Sequence, residues 1–351
     1  MKLSILDQAP VSAGSTPADA LRNTIELARL ADKLGYERYW IAEHHGVETL
    51  ASPAPEILIS RIAAETSRIR AGSGGVLLPH YSPLKVAEVF RMLQALYPGR
   101  IDLGIGRAPG GTQLEARALQ HARTQAPSND DFSDRLLELL AFLNQDFPAS
   151  HPYSTIRVSP EVVEDIPIWL LGSSMWSASA AASLGLPYAF AHFIDPQSTR
   201  EAIDKYRFDF QPVRDFNEPR TILALGAICA ETDAEADRLA ASPRALLRRF
   251  RTFPRETGLV PTPEAAIEEL SSGLDPLIFE TGEWPRYAVG SPQRVRVELV
   301  SIATELHVDE LMIVTVVHSH EARIRSYSLL AEVFGLNGDT RNSDDQLKNA
   351  L

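Results

Sequence analysis

Cysteine is almost missing from this chain: Cys229 is the only one in 351 residues. A single thiol excludes an intrachain disulfide and a cysteine-rich zinc site, and it suits a reducing compartment. Long apolar runs are missing as well. No stretch approaches the roughly 20 uncharged apolar residues of a membrane-spanning helix, and the apolar run that starts at Leu3 breaks at Asp7, too short for a secretion signal. Positive charge is in deficit, with 34 Lys and Arg against 46 Asp and Glu for a net charge of -12. That balance, with a pI near 5.3, argues against nucleic acid or an anionic membrane as partner, since either demands a basic footprint. The expectation is a soluble cytoplasmic protein that works on small molecules and pairs with other proteins.

What is present is a repeating strand–helix pattern and, at 44% hydrophobic content, ample material for a core. Leu3 to Leu6 reads as a strand. Thr16 to Leu34 carries apolar residues at helical spacing and closes on Gly35, and Tyr36 to Ala42 is the next strand, ending in Glu43-His44-His45. A helix over Pro53 to Thr66, a strand over Ile69 to Leu78, a helix over Ser82 to Leu96 and a strand over Arg100 to Ile105 continue the pattern. After a polar stretch, Ala108 to Asn129, come a helix from Asp130 to Asp146, the strand Pro167 to Leu171 and a small-residue helix, Trp176 to Leu184. The strand Tyr188 to His192, the helix Ser198 to Phe210, the strand Thr221 to Cys229 and a long helix, Ala234 to Phe253, follow.

Residues 254–289 break the pattern with prolines and read as an insertion. Ser291 and Pro292 then open a helix to Leu306, Glu310 to Val317 is an eighth strand, Ala322 to Phe334 closes the chain, and 337–351 is a polar tail. Eight strand–helix units without a shift in composition predict an α/β (β/α)8 barrel over residues 1–336, with the insertion before the last unit. In such a barrel the ligand sits at the carboxyl ends of the strands. Ala9, His44, Gly75 to Pro79, Gly106-Arg107, Gly172 to Ser174, His192 and His318 are therefore expected to converge.

The βαβ unit from Arg70 to Gly111, a glycine-rich strand, a helix and a second strand ending in Gly106-Arg107, is the centre of that expectation. Glu43-His44-His45 has the look of a metal cluster, but neighbouring strand residues point to opposite faces and cannot share one ion. His44, at a strand end, is the better candidate for catalysis. Gly104-Ile-Gly106-Arg-Ala-Pro109 lacks the third glycine of a dinucleotide fingerprint, whereas Arg107 suits a phosphate, which its planar fork grips with two hydrogen bonds. Gly172-Ser173-Ser174-Met175-Trp176-Ser177 opens a helix after a strand, which fits either simple serine capping or an anion site. The basic run Arg244 to Arg251 reads as a solvated helix face.

Taken together, Ala42-Glu-His-His, Gly74-Gly-Val-Leu-Leu-Pro-His-Tyr-Ser-Pro-Leu, Gly99-Arg-Ile-Asp-Leu-Gly-Ile-Gly-Arg, Gly172-Ser-Ser and Val289-Gly-Ser-Pro resemble the flavin-dependent luciferase-like monooxygenases over Leu3 to Leu336. The resemblance implies a TIM barrel that binds FMN at its strand ends, with reduced FMN as working co-substrate, O2 as oxidant and a separate flavin reductase as supplier. It places Arg107, Ser174 and Ser177, with Ser173 beside them, at the FMN phosphate and His44 near the flavin, where luciferase has its catalytic histidine. A neutral His44 there suits a general base or hydrogen-bond donor, since the ordinary histidine pKa is close to working pH. Gly74-Gly75 falls where the family often has a non-prolyl cis peptide. Homodimers are common in the family, with helices of the second and third βα units as a possible interface. Gly106 replaces the reactive cysteine of luciferase and Ser173 its glutamate, so light emission does not follow. Two other functions stay open: hydride transfer with the deazaflavin F420, and flavin binding without turnover.

Overall fold

A computed structural model describes residues 1–120, 131–213, 217–252, 257–271 and 282–336. The tail at 337–351, the part of the polar stretch at 121–129, and 254–256 and 272–281 of the insertion lie outside the described residues. In the first half, β1 (Lys2–Asp7), α1 (Pro17–Leu34), β2 (Arg38–Ile41), α2 (Pro55–Glu65), β3 (Arg70–Ser73), β4 (Val76–Leu77), α3 (Pro83–Leu96), β5 (Ile101–Gly106), α4 (Gln113–Leu119) and α5 (Asp131–Asn144) follow one another. The second half runs β6 (Ile168–Gly172), α6 (Met175–Ser183), β7 (Tyr188–Ala191), α7 (Thr199–Asp209), β8 (Thr221–Cys229), α8 (Asp233–Thr252), α9 (Pro263–Ser271), β9 (Tyr287–Gly290), α10 (Pro292–Glu305), β10 (Glu310–Val314) and α11 (His320–Phe334).

Every strand pairing is parallel, and β10 bonds to both β1 and β8, so the sheet closes on itself. The result is a TIM barrel of eight staves, with β3 and β4 sharing one. Local signals start and stop its helices. Thr16 and Asp19 form a capping box before α1, Pro17, Pro55, Pro83 and Pro292 occupy first-turn positions, and Gly35 and Gly335 end α1 and α11 at φ 90° and 65°. Among the described residues no helix is long and apolar enough to cross a membrane.

Alternation along each strand divides the core in two. Leu3, Ile5, Tyr39, Ile41, Leu103 and Phe190 pack outward under the helices, while Leu6, Trp40, Trp169, Ala189, Ile222, Ala224 and Met312 fill the barrel. Below that inner layer lies buried charge. Arg38 donates to Glu310 and to Asp102, both at 2.8 Å; Arg70 donates to the other Asp102 oxygen at 2.9 Å; Ser4 donates to Glu310 at 2.6 Å. Trp40 Nε1 reaches Asp102 at 3.0 Å, and the Arg38 guanidinium lies 5.0 Å over the Trp169 ring. Burial pushes the Asp102 carboxyl up, but the Arg38 and Arg70 guanidiniums overrule it and hold the group below the usual carboxylate range.

Five expectations change here. The strand over Ile69 to Leu78 is broken: Gly72 faces Asp102 while Val76 faces Ile105, so four steps on one side match three on the other, a bulge. The Gly74-Gly75 peptide within it is cis. Glycine is needed at the contact, because a Cβ on Gly104 would come within 2.1 Å of the Ser73 carbonyl oxygen and one on Gly75 within 2.7 Å of the Gly104 oxygen. The polar stretch after Ala108 contains a helix, α4. The insertion ends in a strand, β9, which pairs with the far half of β8 and stands outside the closed barrel. Ser291 holds the N-cap position of α10 without a side-chain cap bond; its backbone N–H donates to Asp233 Oδ1 at 2.7 Å. The basic face of α8 is tied down, with Arg249 paired to Glu269 at 2.5 Å and Arg248 donating to the Glu269 carbonyl at 2.8 Å.

Asp102→Ala would leave the buried Arg38 with Glu310 alone and take from Arg70 its carboxylate partner. Removing one member of a buried ionic network costs about 3–5 kcal/mol. Urea unfolding of the variant should show a loss of that size, and a loss below about 1 kcal/mol would show that the network does not stabilise the barrel.

Candidate active site

The carboxyl ends of the strands open on a cavity of about 360 Å³, within the size range of small-molecule sites. Its floor is the top of the inner barrel layer, Leu6, Trp40, Ala189, Ala224 and Met312. Its walls bring together His44, Gly74, Gly75, Arg107, Ser173, Ser174 and Ser177, all named from sequence. The convergence is incomplete. Ala9, Pro79, His192 and His318 do not line it: His192 is buried in bonds to Thr199 Oγ1 at 2.7 Å and the Pro285 carbonyl at 2.9 Å, and His318 contacts the Ala13 carbonyl at 3.0 Å.

His44 follows Trp40 and Ala42 on the inward side of the β2 extension, and its Nδ1 has no hydrogen-bond partner. Burial, with the charge of His45 acting the same way, pushes the imidazole down to about 4. The expected pKa near working pH is thus corrected, while the expected uncharged ring at neutral pH agrees with the burial. Glu43 and His45 bond to each other instead, which separates the apparent His-His cluster. The buried Glu43 carboxylate contacts His45 Nε2 at 2.7 Å and accepts from Tyr81 Oη at 2.8 Å and the Leu77 N–H at 3.0 Å, tying the end of β2 to β4.

Arg107, just past β5, stacks its guanidinium 4.0 Å above the Trp176 ring and has no hydrogen-bonded acceptor among the described residues. Ser174 caps α6: its Oγ accepts from the Ser177 N–H at 3.4 Å, while Ser177 Oγ donates to the Ser174 carbonyl at 2.7 Å and meets Tyr188 Oη at 2.9 Å. The capping reading of these serines therefore holds, and their hydroxyls are partly spent on each other. The amides of Met175 and Trp176, in the first turn, have no intrahelical acceptor. An unpaired guanidinium beside such amides is a place for a phosphate.

Sequence reasoning missed Gln8, Trp40, Trp176, Phe193 and Ile194 as lining residues. Two of them had a signal. Gln8 follows Leu6 and Trp40 precedes Ala42 and His44 by steps of two, so the inward side of each strand runs straight into the site.

A closed parallel barrel with an apolar cavity at its strand ends, lined by Arg107 and His44, defines a TIM-barrel protein with a small-molecule site. The chain belongs to the luciferase-like monooxygenase family, whose model matches residues 1–309. It is 43% identical over 332 residues to the uncharacterized protein YceB of Bacillus subtilis (strain 168), covering 95% of this chain and 99% of that one. A luciferase-like monooxygenase of Escherichia coli (strain K12) is 39% identical over 94% of this chain and 96% of its own. The N-acetyl-S-alkylcysteine monooxygenase of Bacillus subtilis (strain 168) is 37% identical over 95% and 98%. Among solved structures, apo-MsnO8 superposes with a TM-score of 0.89 at 53% identity, covering 96% and 99%. Two more distant structures share the fold alone. One is the oxygenating constituent of 3,6-diketocamphane monooxygenase from Pseudomonas putida in complex with FMN, with TM-score 0.70, 20% identity and coverage of 95% and 97%. The other is an F420-dependent secondary alcohol dehydrogenase with an F420-acetone adduct, with TM-score 0.67, 14% identity and coverage of 95% and 98%.

Burial also holds His192 down at about 4, against an ordinary value of 6.5. Below pH 6.5 the unfolded chain protonates this ring while the folded protein does not, so stability falls as pH drops toward 4. At about 1.4 kcal/mol per unit, His192 alone accounts for roughly 2 kcal/mol between pH 6.5 and 5. Urea unfolding at both pH values should show a smaller fall for His192→Gln than for the wild type; an equal fall would show that His192 is not the group responsible.

Proposed function

We propose that this protein is a reduced-FMN-dependent monooxygenase that oxidises a small organic substrate with O2 and receives its reduced flavin from a separate flavin reductase. The observation that carries the reading is the meeting, on one apolar cavity, of the unpaired Arg107, the start of α6 and the unpartnered His44 Nδ1. A flavin mononucleotide fits those groups: its phosphate needs a cation and free amides, and its ring system needs apolar walls. Membership in the luciferase-like monooxygenase family supports the same reaction class.

In this reading Arg107, with the first amides of α6, binds the phosphate. Ser173 lies at the same wall, and Ser174 and Ser177 hold the helix start in shape through their mutual bonds. Gly74 and Gly75 present bare backbone to the flavin. When bound, reduced FMN supplies the electrons that activate O2. The floor of Leu6, Trp40, Ala224 and Met312 excludes water from the reacting centre. His44, uncharged at neutral pH, exchanges a hydrogen bond at Nδ1 and takes up or returns a proton there as a weak base. The protein works as a cytoplasmic homodimer, a reading supported by large apolar side chains exposed on α2 (Ile57) and α3 (Met92 and Leu96).

An anaerobic titration with oxidised and reduced FMN, followed by oxygen uptake on admitting air, tests the proposal. Tight binding of reduced FMN and rapid uptake are expected. Binding of F420 in place of FMN would replace the reading with hydride transfer, and FMN binding without oxygen consumption would make the protein a flavin carrier. Arg107→Ala should weaken FMN by about one to two orders of magnitude, the worth of a charged hydrogen bond; an unaltered dissociation constant would remove Arg107 from the phosphate. His44→Ala should keep FMN binding and lose about 10²-fold or more in turnover. Because the imidazole is pushed down to about 4, wild-type turnover should show no break near pH 6.5 from this residue.

A further inference from the structure

Arg107 is aimed by something, and the contacts around it name a single side chain. We propose that Trp176 is the positioning residue that presents Arg107 to the flavin phosphate, an inference that rests on the FMN reading above. The guanidinium lies 4.0 Å from the Trp176 ring centroid, and no carboxylate or carbonyl among the described residues takes its hydrogen bonds. A stacked guanidinium spends its face on the indole and keeps its N–H donors in the plane, free for the two-pronged grip on a phosphate. Arginine carries about 2 kcal/mol of rotamer entropy, so an arginine already held on a ring loses less when the anion arrives.

The platform is itself braced. Trp176 sits in the first turn of α6, two residues after the cap residue Ser174, so the ring and the free helix amides belong to one turn. From behind, the Phe132 ring of α5 meets Trp176 edge-on at 5.6 Å and 70°, and Phe132 is 2% exposed. A buried ring on one helix thus fixes an indole on the next, and the indole fixes a cation that comes from a third element, the end of β5. Of the aromatic side chains that line the cavity, Trp40, Phe193 and Trp176, the described contacts place the Arg107 guanidinium over Trp176.

Two other roles for Trp176 make different demands. A side chain that only packs α6 against α5 would, when lost, damage binding of any ligand. One that touches the flavin ring system would weaken riboflavin, which has no phosphate, as much as FMN. A platform for Arg107 affects FMN alone.

The experiment is to measure dissociation constants of oxidised FMN and of riboflavin, by quenching of flavin fluorescence, for the full chain with Trp176→Leu, Trp176→Phe, Arg107→Ala and the Trp176→Leu/Arg107→Ala pair. Trp176→Leu should weaken FMN roughly tenfold, the size of a desolvated cation–π contact, and leave riboflavin unchanged. Trp176→Phe, which keeps a π face, should restore most of that loss. The double variant should bind FMN no worse than Arg107→Ala alone, since the two residues act as one unit. Riboflavin affinity doubles as the check on folding, and should Trp176→Leu fail to fold, the ratio in Trp176→Phe reads the same effect at smaller size. An unchanged ratio of FMN to riboflavin affinity, equal weakening of both flavins, or additive losses in the double variant would overturn the proposal. A wild type that binds neither flavin overturns the FMN reading itself, and is told apart from a wild type that binds FMN while the leucine variant keeps its ratio.

Discussion

Closing this barrel forces Arg38, Asp102 and Glu310 into its interior, where none of the three charges could stay alone. The inward side of β2 delivers Arg38, β5 delivers Asp102 and β10 delivers Glu310, so the ion pairs form only when non-neighbouring staves are already in place. Buried pairs of this kind add little net stability compared with apolar packing, but an incomplete one is expensive. Their effect is to make wrong closures costly. A register slip of one residue on any of these strands would turn a charge outward under the helices and leave its partner alone.

From that base the structure passes its order upward through Trp40. One edge of the indole is bonded to Asp102, and the ring forms part of the cavity floor. The floor therefore inherits its position from the charge network. The rim has a different origin: Arg107, Trp176 and the α4 segment belong to connections after the strands, and their contacts are stacking and capping rather than strand pairing. This is the usual division in such barrels, a base that serves stability and a carboxyl end that serves chemistry. Glu43 joins the two, because its carboxylate ties the segment that carries His44 to the stave that carries Gly74 and Gly75.

Much of this was legible beforehand, for local reasons. Proline at first turns, glycine at helix ends and the alternation of the strands are rules that act within a few residues, and the eight-stave barrel follows from them. The site residues were legible because strand ends must converge. What the local pattern concealed depends on distant neighbours. The prolines of the insertion hid β9, since only its pairing with β8 makes Tyr287–Gly290 a strand. The pKa of His44 is set by what surrounds it in three dimensions, and the ordinary value for histidine was the wrong guide. His192 stands at a strand end like His44, yet Thr199 and Pro285 capture both its ring nitrogens, a fact invisible in its own segment. Ser174 and Ser177 offered a choice between capping and anion binding, and their mutual bonds show that the cap is made.

The bulge in the third stave works like a frameshift. Before it, Gly72 is the residue that faces the barrel interior, against Asp102 and Trp40; after it, Leu77 lines the cavity and Val76 packs outward with Ile105's layer. An even-numbered inward residue gives way to an odd-numbered one, which a plain strand cannot do. Removing either Gly74 or Gly75 would put Val76 three steps from Gly72, equal to the three from Asp102 to Ile105, so the pairing would become regular with Leu77 still turned to the cavity and Val76 still outward. In this stave, then, a one-residue deletion would keep the facing of every side chain beyond it and take away only the extra backbone that the two glycines lay along the cavity wall.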